Sequence, residues 1–382
     1  MTDSEDIFRQ LQQAGDQGGT AAVLERLTSH LQQQGKYLEL FEARKMQIRH
    51  RLGLPIDYQD AGELDEETGR RLEEALLGAC REAGEALMAA GQVREGWMYL
   101  RPLGDRALVA RLLRELQPEQ ENIEAMIEVA FHEGVDVPLG FRWVLEHFGT
   151  CHAVTILESS SQHITREDQR RAVDMLVTHL HAELEQNLRA SLAKRPDTWS
   201  DHGTLAERIA RVDGLFDDHA YHIDGSHLAS TVRAARLLRD AAPLRLAADL
   251  TEYGRRLAPE FQFGGEEPFA DFYPSHGLFF QASLGERVQE AVEFFRHKAR
   301  TLDAGQSGTL AREVYIELLA RLGRLEEAID IAAQTLRDGL PCLGFAPTLF
   351  QLSKQAGDFR RLRAVCQANN DPLGYAIALV QP

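Results

Sequence analysis

Lysine is scarce in this 382-residue chain, with Lys36, Lys45, Lys194, Lys298 and Lys354 its only examples, so arginine carries nearly all of the positive charge. Acidic residues outnumber Lys and Arg by 59 to 42, a formal net charge of −17 that opposes broad attraction to a nucleic-acid backbone or an anionic membrane. Cysteine is also sparse. Cys80, Cys151, Cys342 and Cys366 are scattered, with no CxxC pair and no density that resembles a disulfide scaffold, so reduced thiols are expected. No apolar run approaches the roughly 18 to 20 residues that span a bilayer. The acidic start Met1-Thr2-Asp3-Ser4-Glu5-Asp6 lacks the basic and apolar stretches of a secretory signal, and a cytoplasmic protein is predicted. Missing too are a GxGxxG after a strand, a P-loop, a GxSxG elbow and an EF-hand loop, which removes nucleotide hydrolysis, dinucleotide redox chemistry and α/β-hydrolase chemistry as leading readings. His132-Glu133-Gly134-Val135-Asp136 places Asp where HExxH needs its second histidine.

Apolar residues recur at helical spacing nearly throughout, while the alternation of strands is absent over any useful length. Several helix pairs share one punctuation, a glycine followed after one residue by an apolar or aromatic residue that opens the next helix. Gly35-Lys36-Tyr37, Gly91-Gln92-Val93, Gly323-Arg324-Leu325 and Gly357-Asp358-Phe359 all follow it. The last two glycines stand 34 residues apart, the tetratricopeptide period. Leu319-Ala320-Arg321-Leu322-Gly323-Arg324-Leu325-Glu326-Glu327-Ala328 resembles the turn between the two helices of such a repeat, with Ala328 small enough for close packing. The resemblance covers residues 20–110 and 305–380. The interval of 56 from Gly35 to Gly91 departs from the period, which makes the repeats degenerate. The resemblance implies a concave surface that binds a peptide or a protein, and a small ligand is a further expected occupant of the groove.

The expected fold is all-α, a right-handed α-solenoid of antiparallel helix pairs with an elaborated central helical region. Its expected divisions are 1–110, 111–304 and 305–382. In the centre, Thr165 is placed to cap a helix whose apolar stripe is Val173, Val177, Leu180, Leu184 and Leu188. A second stripe, Leu205, Ile209, Val212, Phe216 and Ile223, predicts a helix running into the next turn with His219 facing the core. The segment from Pro259 to Pro274, rich in Gly, Pro and Phe, reads as a loop or lid, and its aromatics as either loop packing or pocket lining.

Chemistry concentrates in Asp217-Asp218-His219-Ala220-Tyr221-His222-Ile223-Asp224-Gly225-Ser226-His227, which holds three imidazoles and three carboxylates in eleven residues. Ser226 is the expected cap of the following helix, leaving His227 in its first turn, where the helix dipole favours a neutral ring able to bind a cation. Pro274-Ser275-His276 repeats that arrangement. Two functional readings follow. One is a helical-repeat binding or scaffold protein, with a bound metal as an option. The other is a metal-dependent enzyme in which His219, His222, His227 and His276 hold a divalent transition metal, Zn or Fe, and Asp224 or Asp271 handles protons. His181, beside the apolar stripe, is a further candidate for a central pocket.

Overall fold

The computed structural model describes residues 3–57, 64–160, 163–192, 199, 202–302, 309–340 and 343–381. Cys342 and Lys194 lie outside them. The described residues are helical or irregular, with no strand among them. Contacts divide the chain into two compact units, Met1–Phe148 and Gly149–Pro382.

The first unit holds α1 (Asp3–Gln33), α2 (Tyr37–Arg51), α3 (Glu66–Ala89), α4 (Val93–Leu100), α5 (Arg106–Glu115) and α6 (Ile123–Ile127). A seventh helix, α7 (Val137–Ser160), breaks at Gly149, whose φ of 75° and ψ of −178° end one helical run and begin another at the boundary of the two units. Asp65 starts α3 by accepting the N–H of Thr68, and Asp105 starts α5 by accepting that of Leu108. Helices α3 and α4 pack closely because neither backbone carries a side chain where they meet. A Cβ on Gly84 would lie 2.5 Å from Leu100 Cγ, and one on Gly96 would lie 2.6 Å from Met88 Cγ and 3.0 Å from its backbone nitrogen. Alanine favours a helix over glycine by about 1 kcal/mol. Overpacking costs about 1–3 kcal/mol, and Met88 is fully buried with nowhere to retreat. Gly96→Ala should therefore lower the thermal midpoint, and a raised midpoint would show that the helices separate freely.

The second unit contains α8 (Arg166–Ser191), α9 (Leu205–Ala210), α10 (Gly225–Ala234), α11 (Ala241–Arg256), α12 (Phe272–Ser283), α13 (Val288–Thr301), α14 (Leu310–Arg321), α15 (Leu325–Arg337), α16 (Leu349–Ala356), α17 (Arg360–Ala368) and α18 (Pro372–Leu379). The expected cap of α8 is present, since Thr165 accepts the N–H of Asp168 at 3.1 Å. Its predicted stripe is the spine of the unit: Val173, Val177, Leu180, Leu184 and Leu188 are all completely buried. Burying each leucine contributes about 2 kcal/mol. Helices α10 and α11 pack against that spine.

The four glycines read as turn punctuation share one conformation. Gly35, Gly91, Gly323 and Gly357 have φ of 64°, 77°, 72° and 65°, joining α1 to α2, α3 to α4, α14 to α15 and α16 to α17. A side chain would be strained there, so the glycines define the turns. The helices of each of these pairs pack on one another. The described residues form an all-helical fold, consistent with a helical-repeat type, and no helix among them is long and apolar enough to cross a membrane.

Candidate functional site

The predicted histidines are positioned by four different environments. Helix α9 ends at Ala210, well short of the histidine turn, and Asp217–His219 form a single 3-10 turn in which Asp218 and His219 take positive φ. His219 is consequently exposed instead of core-facing, and its Nδ1 meets the Glu260 carboxylate. His222 is half-buried. Its backbone N–H donates to the Tyr253 hydroxyl at 2.7 Å, its Nδ1 lies 3.3 Å from the same oxygen, and burial lowers its pKa.

Asp224, not Ser226, caps α10. One carboxylate oxygen accepts the N–H groups of Ser226 at 2.8 Å and His227 at 3.1 Å. The Ser226 hydroxyl and these amides hold its pKa below the usual carboxylate range, which suits a cap and makes a weak proton acceptor. His227 enters that arrangement through its backbone. Asp271 precedes α12 as an exposed residue and lines a separate cavity with Arg255, Glu252 and Arg287. The expected proton-handling carboxylates therefore sit apart, one in a cap and one at a charged surface. His181 is buried against Asp249, with Nε2 3.2 Å from Oδ2. Asp249 also accepts the first amides of α9, from Leu205 at 3.1 Å and Ala206 at 3.2 Å, so this pair fixes a helix start.

The structure does not bring the expected metal ligands together. Among the described residues no three His, Cys, Asp or Glu side chains are grouped to hold an ion. His219 faces a carboxylate, His222 a tyrosine, His227 the end of α10, and His276 an aromatic core. A Zn or Fe centre needs donors within about 2.0–2.2 Å of one point, and this set does not fit it.

His276 nevertheless belongs to the best-built site. Helix α12 begins at Phe272, three residues before Ser275, so His276 falls on its buried face instead of at a helix start. It is 1% exposed. Phe269 stacks on the ring at 4.0 Å between centroids, and Phe272 lies at 4.4 Å. The Nδ1–H donates to the Phe272 carbonyl at 2.7 Å, leaving Nε2 as a lone-pair acceptor, buried and without a hydrogen-bond partner. Burial, reinforced by the Arg236 charge, pushes the pKa down to about 3, so the ring is neutral.

His276 lines a cavity of about 360 Å³ together with Arg233, Arg236, Phe263, Gly264-Gly265 and the Glu266 carboxylate. The glycine pair forms its rim, and a Cβ on Gly265 would strike the Phe269 carbonyl at 1.9 Å, so the loop can close that tightly only with glycine there. Arg233 and Arg236 also line a second cavity of about 420 Å³, together with Val154, Leu157, Val173, Leu176, Phe345 and the Glu158 carboxylate.

Arg236 lines both. Part of its side chain opens to solvent through the cavities, yet the guanidinium is deep enough for burial, and then Arg233, to bring its pKa to about 10. It lies over Phe269 at 5.1 Å and over Phe345 at 5.0 Å. Its Nε donates to the Arg233 carbonyl at 3.0 Å. No carboxylate pairs with it among the described residues, whereas Arg233 has Glu158 at 3.7 Å.

Neighbouring elements hold this arginine in register. Arg321, on α14, donates to the carbonyls of Arg236 and, at 2.8 Å, Leu238. Glu313, on the same helix, accepts the N–H groups of Phe345 at 2.7 Å and Ala346 at 3.2 Å, while Arg166 donates to the Gly344 and Phe345 carbonyls at 2.6 Å each. Both flanks of the guanidinium are thereby fixed. Sequence reading missed Arg233 and Arg236. The available signal was Thr231-Val232-Arg233-Ala234-Ala235-Arg236-Leu237-Leu238, two arginines one helical turn apart in an otherwise apolar run. No protein-family model, curated protein or solved structure matches the chain.

Proposed function

We propose that this chain is a cytoplasmic binding protein built as a degenerate, right-handed tetratricopeptide-like solenoid of antiparallel helix pairs, and that its second unit takes a small amphipathic monoanion. The observation that carries the reading is Arg236, a deep guanidinium with no carboxylate partner among the described residues, which lines two neighbouring cavities. A buried, unneutralised cation costs stability unless something satisfies it. Of a peptide, a protein and a small ligand, these dimensions favour the last, since cavities of about 300–1,000 Å³ with a few convergent polar groups are typical small-molecule sites. The head group is a carboxylate, which the planar guanidinium can grip with two parallel hydrogen bonds, and the body is an alkyl chain in the apolar cavity. A single charge is favoured over a dianion because Glu158 already answers Arg233.

Arg236→Met tests this. Methionine keeps the stem and removes the charge, so binding of decanoate, followed by calorimetry, should weaken more than about tenfold, the loss of one charge-assisted contact. The ligand-free variant should meanwhile be more stable by about 1–2 kcal/mol in a urea titration, because replacing a buried ion by a hydrophobe is neutral to stabilising. Undiminished binding, or a variant clearly less stable than the parent, would defeat the reading.

A further inference from the structure

The aromatic side chains of the 259–274 segment divide into two groups. Phe269, Phe272 and Tyr273 are buried, whereas Phe261 and Phe263 are 39% and 41% exposed, and Tyr221, which touches Phe261, is 60% exposed. All three exposed rings line a cavity of about 370 Å³. Tyr221 and Phe261 meet at 5.3 Å between centroids with their planes 57° apart, so they form two walls at an angle. The loop carrying Phe261 is anchored, because the Gln262 amide donates to the carbonyls of Leu257 at 2.8 Å and Arg255 at 3.2 Å. Phe263 is the least free wall, since Arg233 lies over it at 5.3 Å and Phe272 packs against it at 5.0 Å. The charged groups of this cavity are Asp224 and Glu260, and none of the described residues that line it is basic.

We infer that this cavity is a second site, for a small trimethylammonium compound held by Tyr221 and Phe261 beside Asp224 and Glu260. It takes the opposite charge to the Arg236 site and does not depend on that reading. Aromatic faces attract a cation through the ring quadrupole, and a quaternary ammonium is the cation that gives up least hydration to reach them. The carboxylates supply charge but little spare hydrogen bonding. Asp224 Oδ1 already accepts the Ser226 hydroxyl and the amides of Ser226 and His227, and Glu260 Oε1 meets the His219 ring. The Ser226 hydroxyl chiefly holds Asp224, and its own backbone N–H chiefly holds Glu260, below the usual carboxylate range, so both stay ionised. A primary ammonium or a guanidinium brings several N–H donors that need acceptors once water is lost, and much of the acceptor capacity here is taken. A trimethylammonium group brings none. It asks for apolar contact and nearby negative charge, which these walls supply.

Calorimetry on the full chain at pH 7.5 compares choline with its neutral isostere 3,3-dimethylbutan-1-ol and with ethanolamine. Choline should bind at least about tenfold more tightly than either, since the isostere lacks the charge and ethanolamine holds its water. Tyr221→Leu and Phe261→Leu keep apolar bulk at exposed positions and remove a π face, so each should weaken choline about three- to tenfold and leave the isostere unchanged. Asp224→Asn, which keeps a cap for α10, should weaken choline by a similar factor. Equal affinity for choline and the isostere would overturn the inference, because the cavity would then read shape alone. Undiminished choline binding in both leucine variants would overturn it too, by placing the cation elsewhere on this acidic chain, as would the absence of heat with choline at about 10 mM. Binding of N-acetyl-trimethyllysine amide more than about tenfold tighter than choline would overturn the assignment to a free compound and put a modified peptide in its place. The comparison of ligands on the parent protein needs no variant to fold.

Discussion

Replacing Glu317 by glutamine should destabilise the second unit by about 3–5 kcal/mol, the cost of breaking a buried ion pair by removing one partner. Glu317 is 1% exposed, and its Oε1 meets Arg239 at 2.7 Å and Arg321 at 2.8 Å. Only about 5% of the Arg321 side chain is exposed, and burial already brings its pKa to about 10, with Glu317 acting against that fall. Glutamine preserves volume and retains an acceptor. The variant therefore isolates charge: two guanidiniums remain near one another with no counter-ion. Urea titration should show a lower midpoint with an unchanged slope. A loss below about 1 kcal/mol, the range of exposed pairs, would mean that solvent reaches the network. Ligand binding should weaken as well, because Arg321 holds the backbone carbonyls of Arg236 and Leu238 and thereby places the Arg236 guanidinium beside both cavities.

The residues that announced themselves in the sequence were those whose conformation is decided locally. Glycines at 35, 91, 323 and 357 disclosed four turns because each turn demands positive φ, and the apolar stripe of α8 disclosed its buried face through spacing alone. The histidine cluster misled for the opposite reason. Extending the Leu205 stripe to Ile223 presumed one continuous helix, whereas Gly214 takes φ of 73° and the chain runs on through turns. There, long-range partners such as Glu260 and Tyr253 set the direction of each ring. At α12 the error was a phase shift. A sequence reading makes Pro274 the last loop residue, yet proline is tolerated within the first turn of a helix, where its missing N–H would have no intrahelical partner. Starting the helix at Phe272 instead rotates His276 from an end onto the buried face. Arg236 was not legible as a ligand-binding group because its distinguishing property, the lack of a carboxylate, depends on every segment that packs around it.

Acid should weaken the fold well above the usual carboxylate range, and His276 should account for much of the effect. In the unfolded chain an imidazole takes a proton near pH 6.5, whereas the native ring resists protonation down to about pH 3 because it is buried and faces Arg236. Between those limits the unfolded state binds the extra proton, so stability falls as pH falls. The full contribution is present above about pH 6.5 and lost toward pH 3, on the order of 4 kcal/mol in all and about 2 kcal/mol by pH 5. His222 acts in the same direction, its pKa lowered by burial. Glu185, whose pKa is lowered to about 2 chiefly by Arg208, contributes stability that disappears only below the normal glutamate range, so it does not contaminate the upper part of the window. Urea midpoints at pH 7.5, 6 and 5 should therefore decline in the parent protein and decline distinctly less in His276→Gln, whatever the absolute stability of the variant. Equal slopes would show that the native imidazole titrates as freely as the unfolded one, which is incompatible with a buried, unpartnered Nε2.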